Sequence, residues 1–421
     1  MYLVSSKIKK GGEIMKTKLL NFVTNIKYEI VIFLMLCVRA CLNLDFQRGM
    51  DKNFLVYYLV DFSMGKTSRL LIGSLVNVLT DTPTKAWINC FAGIVLILTF
   101  ILTAILIGKL IKSSNDTIKP AVFVFSMFFA SGIFTLYGYS RFFGMLDIYM
   151  YLFTVFSLMV VKKRIFKWFV PLFCAGGVLI NFSYAISYFP LVALVLLYLT
   201  ITEKKKAENV ALLSVTVLSC LALTLYCVCI GNQTGMVTLE ELWATIEKKS
   251  GMDFEYSHIK YYDYYLFGED RLAEALGINI NKGSLMAVIE TYLEYILKYG
   301  LNELEFFSVI IGLLPIISFF TLIWCRCIKY SETKPRKFIY LCFILSNLFM
   351  VVCFITSTDT MRWACVGVML QFALAFFVVY NKDITFESTV IWLKGKLKDK
   401  PIVVAVAFLV YAFGFEFSIT G

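Results

Sequence analysis

Eleven long apolar stretches, most of them separated by polar connections, constrain this 421-residue chain more than any other feature. They lie at 27–44, 87–108, 120–139, 146–161, 166–183, 185–202, 209–230, 305–325, 337–356, 363–380 and 401–418. A helix rises about 1.5 Å per residue and the hydrocarbon core of a bilayer is about 30 Å thick, so about 20 apolar residues cross it. The pattern predicts an all-α, polytopic membrane helix bundle of about 11 transmembrane helices, the shorter ones tilted or buried among neighbours. Hydrophobic residues make up 59% of the chain and mean hydropathy is +0.77, far outside the soluble range.

Lysine and arginine fall on alternate connections. One set carries Lys7, Lys9, Lys10, Lys16, Lys18 and Lys27, then Lys109, Lys112 and Lys119, then Lys162, Lys163, Arg164 and Lys167. It continues with Lys204 to Lys206, with Arg326, Lys329, Lys334, Arg336 and Lys337, and with Lys382, Lys394, Lys396, Lys398 and Lys400, in all 26 of the 40 basic residues. The short connections of the opposite set hold only Arg141 and Arg362. The positive-inside rule then puts the N-terminus in the cytoplasm and the C-terminus outside the cell membrane. That arrangement leaves 20 of the 29 acidic residues on the outer side. The net charge of +11 is therefore a matter of topology and of anionic membrane lipids, and nucleic acid is excluded as a partner.

The twelve cysteines all lie in or at the ends of apolar stretches, where cysteine acts as a small apolar residue; neither disulfides nor a metal site are expected. No other cofactor is expected. The first apolar stretch has no small-residue cleavage motif and reads as an uncleaved span. Lys10-Gly11-Gly12-Glu13-Ile14 back-translates to a purine-rich ribosome-binding site just before Met15. The native bacterial start is therefore expected at Met15, with residues 1–14 not native.

The chain divides into a cytoplasmic N-terminus (1–26), a membrane module (27–230) with an outer loop at 45–86, a large outer loop (231–304) and C-terminal membrane helices (305–421). In the first loop, Ser68 to Thr80 has apolar residues at helical spacing and predicts a helix lying on the membrane surface or against the bundle. The large loop opens with a helix that Thr238 would cap and Gly251 would end. An aromatic-rich stretch around Tyr256, His258, Tyr261, Tyr262 and Tyr264 follows, and then an amphipathic helix over 284–299. Loops of this length are usually functional or disordered, and the aromatic content argues against disorder.

Three constellations on the outer side could carry chemistry. The first loop holds Asp45, Asp51, Asp61 and Asp81 with Arg48, Lys52, Lys66 and Arg69. Arg141 and Asp147 flank one outer helix junction, and Asp359 and Arg362, three apart, share a face if their turn is helical. Each of these pairs reads equally well as a surface ion pair. Arg39, near the outer end of the first stretch, is expected to snorkel to the interface. The lone His258 offers no metal cluster and no identifiable nucleophile partner. Met64 to Ser68 looks like the tail of a phosphate-binding loop, but Val60 stands where glycine is required.

A first span, an acidic outer loop with a surface helix, and many short-looped spans resemble the GT-C superfamily of polytopic glycosyltransferases. The stretches RFFGMLDIYMYLFTVFSLMVV (141–161) and INFSYAISYFPLVALVLLYL (180–199) are similar to sequences seen in such enzymes. YLVDFSMGKTSRLLIGSL (58–75) is similar to a first-loop motif of uncharacterised bacterial relatives. The likeness covers roughly the first 200 residues. It departs from the family after the first span, where isolated Asp45 and Asp51 replace a pair of adjacent acidic residues. It implies transfer of a sugar from a polyprenyl-phosphate donor to a saccharide or lipid acceptor on the outer face. Asp51, Asp45 or, third, Asp61 would be the catalytic base, with Arg69, Arg141, Asp147, Asp359 and Arg362 binding substrate.

Two other readings stay open. A polysaccharide polymerase or ligase has a similar span count and a large late loop, though the Arg-x10-Gly motif of those enzymes does not follow Arg69, Arg271 or Arg362. A lipid-linked sugar transporter would place charges at mid-membrane and show internal repeats, and neither is visible.

Overall fold

The computed structural model describes residues 25–42, 50–132, 134–136, 143–229, 237–254, 304–349 and 360–413. Asp45, Arg141, Asp359 and His258 lie outside them, as do the native-start question, the aromatic stretch beyond Phe254 and the helix expected at 284–299. Every described element is helical. The longer helices are α1 (Lys27–Cys41), α2 (Leu71–Leu79), α3 (Lys85–Ser113), α4 (Lys119–Ser131), α5 (Asp147–Val160), α6 (Val170–Ile180) and α7 (Phe189–Thr202). They continue with α8 (Lys206–Cys229), α9 (Leu239–Ser250), α10 (Leu304–Tyr330), α11 (Lys334–Leu345), α12 (Thr360–Tyr380), α13 (Ile384–Leu397) and α14 (Pro401–Phe413).

A helix falls within each of the eleven apolar stretches, but four of them (α3, α8, α10 and α12) are long and apolar enough to cross a membrane by length and composition. Five shorter apolar stretches, covering α4, α5, α6, α7 and α14, accompany them. These helices are consistent with a membrane protein. The shortening has local causes. The stretch at 120–139 ends its helix at Ser131, where Gly132 turns extended and the Thr135 hydroxyl donates to the Phe129 and Gly132 carbonyls at 2.6 and 2.7 Å. α11 stops at Ser346, whose hydroxyl donates back to the Phe343 carbonyl.

α12 is the central helix, apolar on all faces and mostly buried against α3, α7 and α10. Phe125 of α4, Phe320 of α10 and Phe372 of α12 meet with ring centroids 4.7 to 5.7 Å apart. One polar network crosses this apolar core. The Trp324 indole donates to Gln371 Oε1 at 2.7 Å, and Gln371 Nε2 donates to Ser346 Oγ at 2.9 Å and to the Phe343 carbonyl at 3.2 Å. All of these groups are buried, so each needs the other's hydrogen bond.

The bundle has two chemically distinct ends. At one end, the lysine-rich turns bind each other: Lys112 pairs with Glu29, Lys162 with Glu203 and Asn381, Lys167 with Glu208, and Lys394 with the Thr117 carbonyl. α13 lies here, where the sequence reads as a basic loop. Asp383 starts it, accepting from the Phe386 N–H at 3.1 Å, and also receives the Tyr198 and Tyr340 hydroxyls at 2.8 and 2.7 Å. The other end carries residues 50–84 and, docked on them, α9.

Arg39 does not snorkel. Ile32, Leu36, Arg39 and Ala40 form the one buried face of α1, which packs on α3 and α4, and Arg39 is only 1% exposed. Ten cysteines among the described residues are free thiols.

Candidate functional site

At the loop end, residues 50–84 fold back over the helix ends. The Met50 N–H donates to Asn89 Oδ1 at 3.1 Å, and a turn of helix at Lys52–Leu55 runs into the 3-10 turn Val56–Tyr58. Tyr58 is buried. Its hydroxyl donates to the Gly144 carbonyl at 3.0 Å and receives the Tyr149 hydroxyl at 3.2 Å. Burial, reinforced by Tyr149, pushes the Tyr58 phenol well above its usual range, so it stays a donor. Gly144 turns with φ of +94°, and any Cβ there would meet Met50.

α2 begins at Leu71, later than the expected Ser68, because Arg69 takes a left-handed conformation with φ of +73°. The fold holds that strain: the Arg69 N–H donates to the Leu179 carbonyl at 2.9 Å and its guanidinium lies 5.1 Å from the Phe182 ring centroid. α2 then crosses the loop so tightly that a Cβ on Gly73 would collide with the Val60 carbonyl. It buries Ile72 and Val76 and leaves Leu75, Val78 and Leu79 exposed, the amphipathic pattern read from its sequence.

Asp61 is held from all sides. Ser63 donates both its N–H (2.8 Å) and its hydroxyl (2.5 Å) to Oδ1, a local turn typical of aspartate. Lys249, from α9, donates to Oδ2 at 2.5 Å and to the Leu59 carbonyl at 3.2 Å. Burial pushes this carboxyl up, but the hydrogen bonds from Lys249 and Ser63 and the Lys249 charge outweigh it and hold Asp61 below its usual range. The rest of α9 docks alongside. The Val237 N–H reaches the Met64 carbonyl, and Lys52 reaches the Asp253 carbonyl at 3.5 Å. Local physics builds α9 itself, with a Thr238–Glu241 capping box and Gly251 at φ of +63°, both ends as expected.

A depressed carboxyl contributes docking strength that is complete above its unfolded value of about 3.9 and is lost as pH falls through the lower folded value. Spin labels on Phe62→Cys and Ala244→Cys should report one distance from pH 8 to pH 5, broadening only below about pH 4. Broadening near pH 6 would mean that another group holds α9.

The second cluster joins helices more than 200 residues apart. Asp147, buried at the start of α5, faces Arg362 near the start of α12, with Oδ1 to Nε 3.6 Å. The expected local pairings, Arg141 with Asp147 and Asp359 with Arg362, involve undescribed residues; what the fold does show is their cross pair. The Arg362 guanidinium lies 4.6 Å from the ring centroid of Trp363, and its side chain keeps 15% of its surface accessible. Arg362 also touches Met145. Met145 lines a cleft of about 10 Å³ among Tyr58, Ala92, Leu96, Phe143, Gly144 and Ile148, room for one water.

Asp51 lies exposed before the first helical turn of the loop, its carbonyl accepting from Phe54 and Leu55. The fold thus brings Asp61, Arg69, Asp147 and Arg362 into ordered positions at the end that also presents Asp51. It adds Lys249, Tyr58, Tyr149 and Trp363, which no local motif singles out. Among the described residues no cluster of His, Cys, Asp and Glu could hold a metal ion. An accessible carboxylate and a fixed arginine at one end of an apolar bundle suit proton removal and anion stabilisation. The chain matches no protein-family model, no curated protein and no solved structure.

Proposed function

We propose that the protein is a multi-pass membrane glycosyltransferase of the GT-C type. In this reading all eleven apolar segments cross or enter the bilayer, the lysine-rich end and the N-terminus face the cytoplasm, and the C-terminus lies outside. The enzyme moves a sugar from a polyprenyl-phosphate donor to a saccharide or lipid acceptor on the outer face, in cell-surface polysaccharide or glycolipid synthesis. It uses no metal or cofactor.

The observation that carries this reading is the Arg362 guanidinium, positioned by Asp147 and Trp363 at the end that bears the acidic first loop. A departing lipid phosphate gains negative charge, and a preorganised arginine stabilises it as it forms. A carboxylate takes the acceptor's proton as its oxygen attacks the anomeric carbon. Asp51 suits that role because it is exposed, and Asp45 is the alternate. Asp61 is tied to Lys249 and Ser63 and held below its usual range, which makes it a weak base. It positions the loop instead.

The test is sugar transfer from a panel of polyprenyl-phosphate sugars by the purified protein in liposomes. Wild type should transfer, and Asp51→Asn should lose about a hundredfold while its melting temperature holds. Full transfer by both Asp51→Asn and Asp45→Asn would reject the first-loop mechanism.

A further inference from the structure

At the lysine-rich end, α13 packs beside the last turns of α10 with both helices advancing in the same sense. Trp324 meets Phe386 (ring centroids 5.5 Å apart), Cys327 Sγ meets Thr389 Oγ1 (3.5 Å), and Arg326 meets Trp392. Arg326 is the unusual member. Its guanidinium carbon is 4.1 Å from the centroid of the Trp392 ring and 4.7 Å from that of Tyr330, so two aromatic rings fix it. Its Nε is shut from solvent without a hydrogen-bond partner, and among the described residues no carboxylate pairs with the group. Its terminal nitrogens are not among the atoms so enclosed, and the residue as a whole is half-buried.

Helical spacing places more charge at the same groove. Lys329 is one turn beyond Arg326 on α10, and Lys396 is one turn beyond Trp392 on α13; both are exposed. Segments 326–337 and 382–400 together hold ten lysines and arginines against four carboxylates. One of those four, Asp383, is buried and occupied by Tyr198 and Tyr340, and another, Glu387, receives the Asn115 amide. One turn before Arg326 on the same face of α10, Leu322 is exposed (50%), a large apolar side chain just below the basic rim. A guanidinium held by aromatic faces, flanking ammonium groups and adjoining exposed aliphatic surface match a molecule with an anionic head and an apolar tail.

We propose that the groove between the C-terminal turn of α10 and α13 binds an anionic phospholipid, its phosphate on Arg326, Lys329 and Lys396 and its acyl chains along the exposed face of α10 at Leu322. The proposal rests on the membrane part of the reading above and is independent of glycosyl transfer. A planar guanidinium donates two parallel hydrogen bonds to phosphate, and each basic residue at an anionic surface adds about 1 kcal/mol, or about fivefold in affinity.

The experiment is native mass spectrometry of the full chain released from detergent, titrated with phosphatidylglycerol, phosphatidylcholine or glycerol phosphate. Wild type should take up one phosphatidylglycerol far more strongly than phosphatidylcholine, and glycerol phosphate should not displace it. Arg326→Gln should weaken uptake about fivefold or more, and the exposed pair Lys329→Gln with Lys396→Gln should do so without any change in melting temperature. Equal uptake of the two phospholipids, or unchanged uptake in both variants, overturns the site. Displacement by glycerol phosphate overturns the lipid assignment in favour of a soluble phosphate ligand. Loss of sugar transfer in Asp51→Asn with lipid uptake intact would separate this site from the proposed enzyme.

Discussion

Replacing Arg362 by alanine is expected to cost about 3 kcal/mol of stability, because it removes the cation that lies 3.6 Å from the buried Asp147 carboxylate. The Asp147 side chain is 4% accessible and that of Arg362 15%, so water can reach neither charge freely. The attraction in such a pair roughly offsets the cost of desolvating both ions, so removing one partner exposes the whole penalty of the other. Arg362→Lys should recover only part of the loss, since an ammonium lacks the planar face that lies over Trp363. Asp147→Asn with Arg362→Gln should fall well short of the sum of the single changes, because neither neutral group carries a stranded charge. Denaturant titration in detergent measures wild type, the two Arg362 replacements, Asp147→Asn and Arg362→Gln singly, and the double variant. Additive losses would mean that the two residues are independent and that their 3.6 Å approach contributes nothing.

Asp383→Ala should be comparably damaging at the opposite end, by about 3 kcal/mol, although no long-range charge pair is broken. The carboxylate caps α13 and accepts the buried hydroxyls of Tyr198 and Tyr340, tying α7, α11 and α13 together. Losing an N-cap aspartate costs about 1 kcal/mol, and each stranded buried hydroxyl costs about as much again. Asp383→Asn keeps an acceptor for the cap and for one tyrosine and should lose less than half as much. Tyr340→Phe removes one donor alone and should cost about 1 kcal/mol. Thermal unfolding followed by circular dichroism ranks the three. An Asn variant as unstable as the Ala variant would show that the charge, and not the hydrogen bonding, holds the junction.

Much of this architecture was readable from local pattern. Apolar stretches marked where helices form, because a run of such residues satisfies its backbone only by coiling when water is absent. Thr238 and Gly251 announced the ends of α9, since a capping box and a left-handed glycine act within a few residues. Alternating lysines sorted the connections into two sets, and the turns of the lysine-rich set bind one another in the fold. Helix length was less legible: the stretch at 120–139 is apolar throughout, yet Thr135 and Gly132 stop α4 at Ser131.

The site was decided elsewhere. Sequence proximity suggested Arg141 with Asp147 and Asp359 with Arg362, pairings that involve residues outside those described; the fold adds a contact that no local pattern announces, Arg362 against Asp147, 215 positions away. It ties Asp61 to Lys249, and it buries Arg39 at a place where a long side chain on an isolated helix would reach for the interface. These outcomes depend on which helices become neighbours. Apolar surfaces attract one another without direction and carry little information about partners, so only the packed bundle determines which charges meet.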